Sequence, residues 1–240
     1  DPQRGSSWNP LALPYEMYVI VVAIIVLCMI GIAIYLSYDK TQQNIVINEI
    51  NNINETKNID QTIKSKGKYA ILEKGLKDYL NEYLTKTNEL ANEYSNTTID
   101  NALSIENISQ DGPDFTKTKE SIKNLKNKEQ EVKSALENMT TEEYINNKAN
   151  ELNLSEKYTN IYTTALNLKE DVNNISDMIS KYDEYLSTIE NMLNFLTNNK
   201  DYWSVSQNKI LFTKSDLLTQ YNENLNKIET AQSNLQVITN

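Results

Sequence analysis

Between Tyr18 and Leu36 the chain carries no charged residue, and beyond that run the apolar positions recur at steps of three and four almost to the C-terminus. The run "YVIVVAIIVLCMIGIAIYL", at about 1.5 Å rise per residue, reaches roughly 30 Å, the thickness of a hydrocarbon core, and predicts one transmembrane helix over 18–37. Trp8, Tyr15 and Tyr18 on one side and Tyr35 and Tyr38 on the other are the residue types that favour the headgroup layer. A cleaved leader needs a basic start, a shorter apolar core and small residues before the cut. The chain instead offers one distant Arg4, a long core and Leu36 followed by Ser37, so the span is read as a retained anchor. Cys28 does not read as a lipoprotein cysteine, because Leu27 stands where that signal needs a small residue. Gly31 has no small residue four positions away to let two spans approach closely.

After the span, Val46, Ile50 and Ile53 predict a helix running towards a break at "SKGK", Ser65 to Lys68. Tyr69, Leu72, Leu76, Tyr79, Tyr83, Leu90 and Tyr94 mark a second helix over 69–95. A short helix is expected over Ile99 to Ile108, ended by the turn "DGPD", Asp111 to Asp114. Ile122, Leu125, Val132, Leu136 and Met139 form a third long stripe, over 114–139. At "TTEE" the Thr140–Glu143 spacing is that of a capping box, so a new helix is expected there.

The longest pattern runs Leu154, Tyr158, Ile161, Ala165, Leu168, Val172, Ile175, Ile179, Tyr182, Leu186, Ile189, Leu193 and Leu196. It is a coiled-coil-like seam of about six heptads, and if unbroken it makes a rod of about 65 Å. Whether "NLSE", Asn153 to Glu156, interrupts it is open. "DYWSVSQNKILF", Asp201 to Phe212, has the alternation of a short hairpin around a polar "SQN", and Leu218, Tyr221, Leu225, Ile228 and Leu235 predict a last helix starting near Thr213 to Asp216. The expected fold is all-α: an irregular juxtamembrane tail over 1–17, a single N-terminal transmembrane helix over 18–37, and an elongated antiparallel helical bundle with coiled-coil-like packing over 41–240.

Composition narrows the function by subtraction. The chain has no histidine and one cysteine, and that cysteine lies inside the apolar run, so the part after the span has no imidazole or thiolate for metal binding, no histidine base and no disulfide. No catalytic residue, cofactor site or metal site is assigned, and the chain is not read as an enzyme. The net charge of −10 argues against a nucleic-acid surface. Thirty-four asparagines, with many Ile, Lys and Tyr, look like AT-rich coding, and the six Asn-x-Ser/Thr sequons are about what that abundance generates by chance.

Arg4, Asp1 and Glu16 are the charged residues before the run, so 22 of the 23 basic and 31 of the 33 acidic residues follow it. Basic counts flanking the span do not decide orientation. The short leading tail and the large acidic part after it favour an extracytoplasmic bundle.

Trp203 and Phe212 are the candidate partner-binding residues, since bulky aromatics at a bundle end can anchor a partner; the competing and preferred assignment is that they plug that end. The tyrosine face Tyr69, Tyr79, Tyr83, Tyr94 is read as core. The pairs Glu142–Glu143 and Asp111–Asp114 lack the spacing of a calcium loop, and the adjacent Asp183 and Glu184 diverge on a helix and suggest no glycosidase pair.

The stretch "YWSVSQNKILFTKSDLLTQYNENL", through Trp203, Ile210, Phe212 and Tyr221-Asn222, resembles membrane-anchored helical surface proteins of AT-rich Gram-positive bacteria and archaea, including cell-wall-binding lipoproteins. That resemblance implies cell-envelope residence and a non-enzymatic role. The leading expectation is a bitopic envelope protein, held in the lipid bilayer through Tyr18 to Leu36, whose bundle binds a cell-wall component or a protein partner. The alternative is an oligomeric coiled-coil scaffold or spacer of a membrane machine, with the seam pairing between copies. A sensor module ranks below both, because the seventeen residues before the span are too few for a signalling domain, and it survives only if further residues precede Asp1.

Overall fold

The computed structural model describes residues 3–4, 40–56, 58–96, 99–166 and 169–236. These are 80% helical and hold eight helices: α1 (Lys40–Thr56), α2 (Lys68–Asn96), α3 (Ile105–Asp111), α4 (Thr116–Met139), α5 (Glu142–Glu151), α6 (Glu156–Ala165), α7 (Lys169–Asn198) and α8 (Ser215–Gln236). Three short strands accompany them: β1 (Gln3–Arg4), β2 (Trp203–Ser206) and β3 (Lys209–Phe212). The transmembrane helix expected over 18–37 lies outside the described residues; among those described, no helix is long and apolar enough to cross a membrane.

The helical stripes read from the sequence are the buried ones. Leu72, Leu76 and Tyr79 of α2, Ile122 and Leu136 of α4, and Leu186 and Leu193 of α7 are each at most 3% exposed. Burial of such side chains is worth roughly 1.5–3 kcal/mol each, and it holds these helices far more than backbone propensity does.

The chain divides into two compact units. Unit 1 comprises 1–17, 92–130 and 177–240, and unit 2 comprises 18–91 and 131–176, so α2, α4 and α7 each contribute residues to both.

In unit 2 the long seam is interrupted twice. Asn153 takes a left-handed conformation (φ 49°), which asparagine tolerates better than most residues, and Ser155 is extended ahead of α6. The interruption left open at Asn153 to Glu156 is therefore real. A second one follows Ala165, where Leu166 caps α6 and α7 begins at Lys169, with neither glycine nor proline to announce it. Thr163 hydroxyl bonds back to the Thr159 and Asn160 carbonyls lie just before this stop, and such back-bonding competes with the helix ladder. The single rod is corrected to α6 and a separate α7. The capping box moves too: the N-cap of α5 is Thr141, whose hydroxyl accepts from the Tyr144 N–H, while the Thr140 hydroxyl donates back to the Glu137 carbonyl.

In unit 1, β2 and β3 form the expected hairpin, in the register Trp203↔Phe212 to Ser206↔Lys209. The turn residues Gln207 (φ 50°) and Asn208 (φ 56°) are both left-handed, the geometry of a type I′ turn. The tail expected to be irregular supplies β1, which pairs with β3 (Gln3↔Phe212, Arg4↔Leu211) to give the sheet order β1-β3-β2.

Candidate functional site

The hairpin alternates, and its directly paired aromatic residues, Trp203 and Phe212, share one face. Phe212 is 1% exposed and packs against Phe195 and Tyr221, ring centroids 6.1 and 5.3 Å away. Trp203 is half-buried; its ring stacks over Phe115 at 6.4 Å and its indole N–H donates to the Leu196 carbonyl at 2.7 Å, satisfying a backbone acceptor in the last turn of α7. Both candidate residues are thus built into the end of unit 1.

The residue that sequence reasoning passed over is Tyr202. At 39% exposure it is the one exposed large hydrophobic side chain among the described residues, and the Lys214 ammonium sits 3.5 Å from its ring centroid. Tyr202 ends a 3-10 turn, Lys200–Tyr202, immediately before β2, so neither helical nor strand periodicity marks it in the sequence. An exposed aromatic ring with a cation over one face offers its edge and hydroxyl to a partner.

The tyrosine face is core, as expected: Tyr69, Tyr79 and Tyr83 in unit 2 and Tyr94 in unit 1 are each no more than 3% exposed. In unit 2 the Tyr79 hydroxyl donates to the Met139 carbonyl at 2.8 Å, and burial, with the neighbouring Tyr162, Tyr144 and Glu82, pushes its phenol well above the usual range. Tyr69 meets Tyr158 edge-on at 5.2 Å. Tyr144 and Lys148 converge on Glu82 from α5, so this patch is a closed polar network.

Of the acidic pairs, Asp111 serves the backbone of the next helix. The Asp111 carboxylate accepts from the Thr118 N–H at 2.8 Å, the Thr118 hydroxyl at 2.7 Å and the Lys117 N–H at 3.2 Å. Burial pushes the Asp111 carboxyl up, yet these bonds outweigh it and hold the group below the ordinary range. Glu142 and Glu143 occupy the first turn of α5, where negative charge favours the helix start. Asp183 and Glu184 are both exposed. Among the described residues, no three acidic, histidine or cysteine side chains group to hold a metal ion.

Three buried ionisable groups had no sequence signature beyond their place on an apolar face. In unit 2, Lys77 and Glu73 pair with neither side chain exposed. In unit 1, Glu129 is 2% exposed and accepts a 2.9 Å bond from the Tyr94 hydroxyl. Comparison with protein-family models, with curated proteins and with solved structures finds no match for this chain.

Proposed function

We propose that the chain is a bitopic envelope protein: residues 18–37 anchor it in the membrane, and the helical bundle after them is extracytoplasmic and binds a cell-wall component or a protein partner. The observation that carries this is the uncharged run Tyr18 to Leu36, of spanning length, placed directly before a helical part whose apolar stripes are already buried.

That internal burial favours the leading hypothesis over the scaffold alternative. Val172, Ile175, Ile179, Leu186, Ile189 and Leu193 of the seam are each no more than 3% exposed within one chain, so the described surface leaves no apolar seam for a second copy. Recognition then falls to the hairpin end of unit 1, with Tyr202 as the contact residue. This is where the resemblance to cell-wall-binding surface proteins also lies.

A single crossing puts Gln3–Arg4 and the hairpin on opposite faces of a bilayer. The β1–β3 pairing and the inserted state therefore exclude one another, and the proposal requires β1 to leave β3 on insertion. Asn208→Cys and Gln3→Cys chains, each with Cys28→Ser, are treated with an impermeant thiol reagent in intact cells. Labelling at 208 with protection at 3 supports the proposal; protection at 208, or labelling at both sites, overturns the topology. Binding is tested by co-sedimentation of the full chain with envelope fractions, which Tyr202→Ala is expected to weaken, and no binding by the unsubstituted chain would remove the binding role.

A further inference from the structure

Glu129 lies on α4 in unit 1 with almost no exposed surface, a rare position for a carboxyl without a cationic partner. Its Oε1 accepts from the Tyr94 hydroxyl of α2, and Tyr94 in turn packs against Tyr182 of α7, ring centroids 4.2 Å apart and planes tilted by 35°. Its Oε2 is equally buried and has no hydrogen-bond partner among the described residues. The ammonium of Lys126, one turn earlier on α4, is taken up on α7 by Ser187 (2.8 Å), Glu190 (3.1 Å) and Asp183 (3.8 Å). On α8, Asp216, Glu223, Lys227 and Glu229 are all exposed and turn no charge inward. The charged and titratable groups acting on Glu129 are Tyr94 from α2, Lys126 from α4 and Asp183 from α7.

A carboxylate here would be a buried charge with one neutral hydrogen bond, and a group so placed takes up a proton instead. We propose that Glu129 is held as a neutral acid in folded unit 1 and works as a proton-controlled joint of α2, α4 and α7, closed while the proton is bound and loosened when it leaves.

Burial pushes the Glu129 carboxyl up to about 8, the Tyr94 hydrogen bond and the Lys126 charge pulling down against it and Asp183 adding to the rise. Between its ordinary value of 4.5 and about 8 the folded state therefore binds one proton more than the unfolded chain. The stability it contributes is fully present below the lower value and is lost as pH rises through the upper one. Within that window the unfolding constant attributable to Glu129 rises about tenfold per pH unit.

The test uses the full chain in detergent micelles, labelled at the glutamate Cδ with carbon-13. Glu129→Gln assigns the resonance, and hydrogen exchange at pH 6 and pH 9, corrected for the intrinsic rate, reports on 92–96 and 126–132. One Cδ resonance titrating near 8, with extra exchange at pH 9 that Glu129→Gln abolishes, is the expected result. Titration of that resonance in the ordinary carboxylate range, or the same pH dependence in both chains, overturns the proposal. Should Glu129→Gln not fold, Tyr94→Phe removes a bond that favours the charged form and must move the midpoint upward; an unmoved or lowered midpoint is equally fatal.

Discussion

Lys77 Nζ lies 2.8 Å from Glu73 Oε1, one turn away on α2, and neither side chain is exposed. The same ammonium reaches Glu49 Oε2 of α1 at 3.0 Å and the Thr62 carbonyl at 2.8 Å, while Glu73 accepts from the Ser65 N–H at 2.8 Å and the Ser65 hydroxyl at 2.7 Å. One buried pair thus fastens both α1 and the extended segment around 62–65 to α2. Lys77→Met leaves two carboxylates in the core of unit 2 and is expected to cost about 3–5 kcal/mol, and pairing it with Glu73→Leu recovers only part of that loss, because the Ser65 N–H and hydroxyl then lose their acceptor. Urea unfolding of the single and double variants measures both; a single variant within about 0.5 kcal/mol of the parent would mean that the pair fastens nothing.

Burial pushes the Glu73 carboxyl up, but the bonds from Lys77, Ser65 and the Lys64 N–H outweigh it, so the group sits below its ordinary value of 4.5. A lowered folded value contributes stability that is present above 4.5 and is lost as pH falls through the folded one. Amide protection at Lys64 and Ser65 is therefore expected to drop on acidification below 4.5 and to be indifferent to pH above it. Pulsed hydrogen exchange across that range reads this directly, and uniform protection down to pH 2 would refute it.

At the start of α5 the hydroxyls of Thr140 and Thr141 both reach back to α4 carbonyls, but Thr141 alone also receives the Tyr144 N–H, at 3.2 Å. Thr141→Ala is expected to cost about 1 kcal/mol and Thr140→Ala about half that or less. Thermal unfolding of the two variants ranks them, and the reverse order would return the cap to Thr140.

What the sequence made legible was periodic, and what it hid was local. Steps of three and four placed α2, α4 and α8 to within a few residues, because a helix that buries Leu72, Leu76 and Tyr79 must repeat them on one face. The same logic misled at Ala165: the apolar steps run through the break unchanged, since two successive helices packed on one core keep the same hydrophobic sequence. Trp203 and Phe212 drew attention by size, yet the residue left exposed is Tyr202, which ends the 3-10 turn Lys200–Tyr202 just before the hairpin, where no periodic pattern marks it. Glu129 and Lys77 carry no signal in the steps of three and four, and only their partners from distant positions turn them into structure.

The hairpin turn carries Gln207 and Asn208 in left-handed backbone, at φ 50° and 56°. Asparagine and glycine adopt that conformation more cheaply than glutamine, so Gln207→Asn with Asn208→Gly is expected to stabilise the hairpin by about 1 kcal/mol. Gln207→Val, β-branched at positive φ, should lose a similar amount. Amide exchange at Val205 and Ile210 follows the change locally, and no difference between the two variants would rule out the left-handed turn.

Two glycines are required for different reasons, and substitution separates them. Gly67 has φ 62° with nothing within 4 Å of a Cβ built on it, so its constraint is conformational alone: Gly67→Asn should be nearly neutral and Gly67→Val should cost about 1 kcal/mol or more. Gly112, following α3, has an ordinary φ of −74°, but a Cβ there would lie 2.3 Å from the Ile108 carbonyl oxygen and 3.2 Å from the Phe115 ring. Backbone cannot rotate aside as a flexible side chain can. Gly112→Ala and Gly112→Asn should therefore both cost about 1–3 kcal/mol, asparagine gaining no relief from its tolerance of left-handed backbone. Denaturant midpoints for the four variants test the distinction: a neutral Gly112→Ala would show that the α3–α4 turn yields, and a costly Gly67→Asn would show that position 67 is crowded after all.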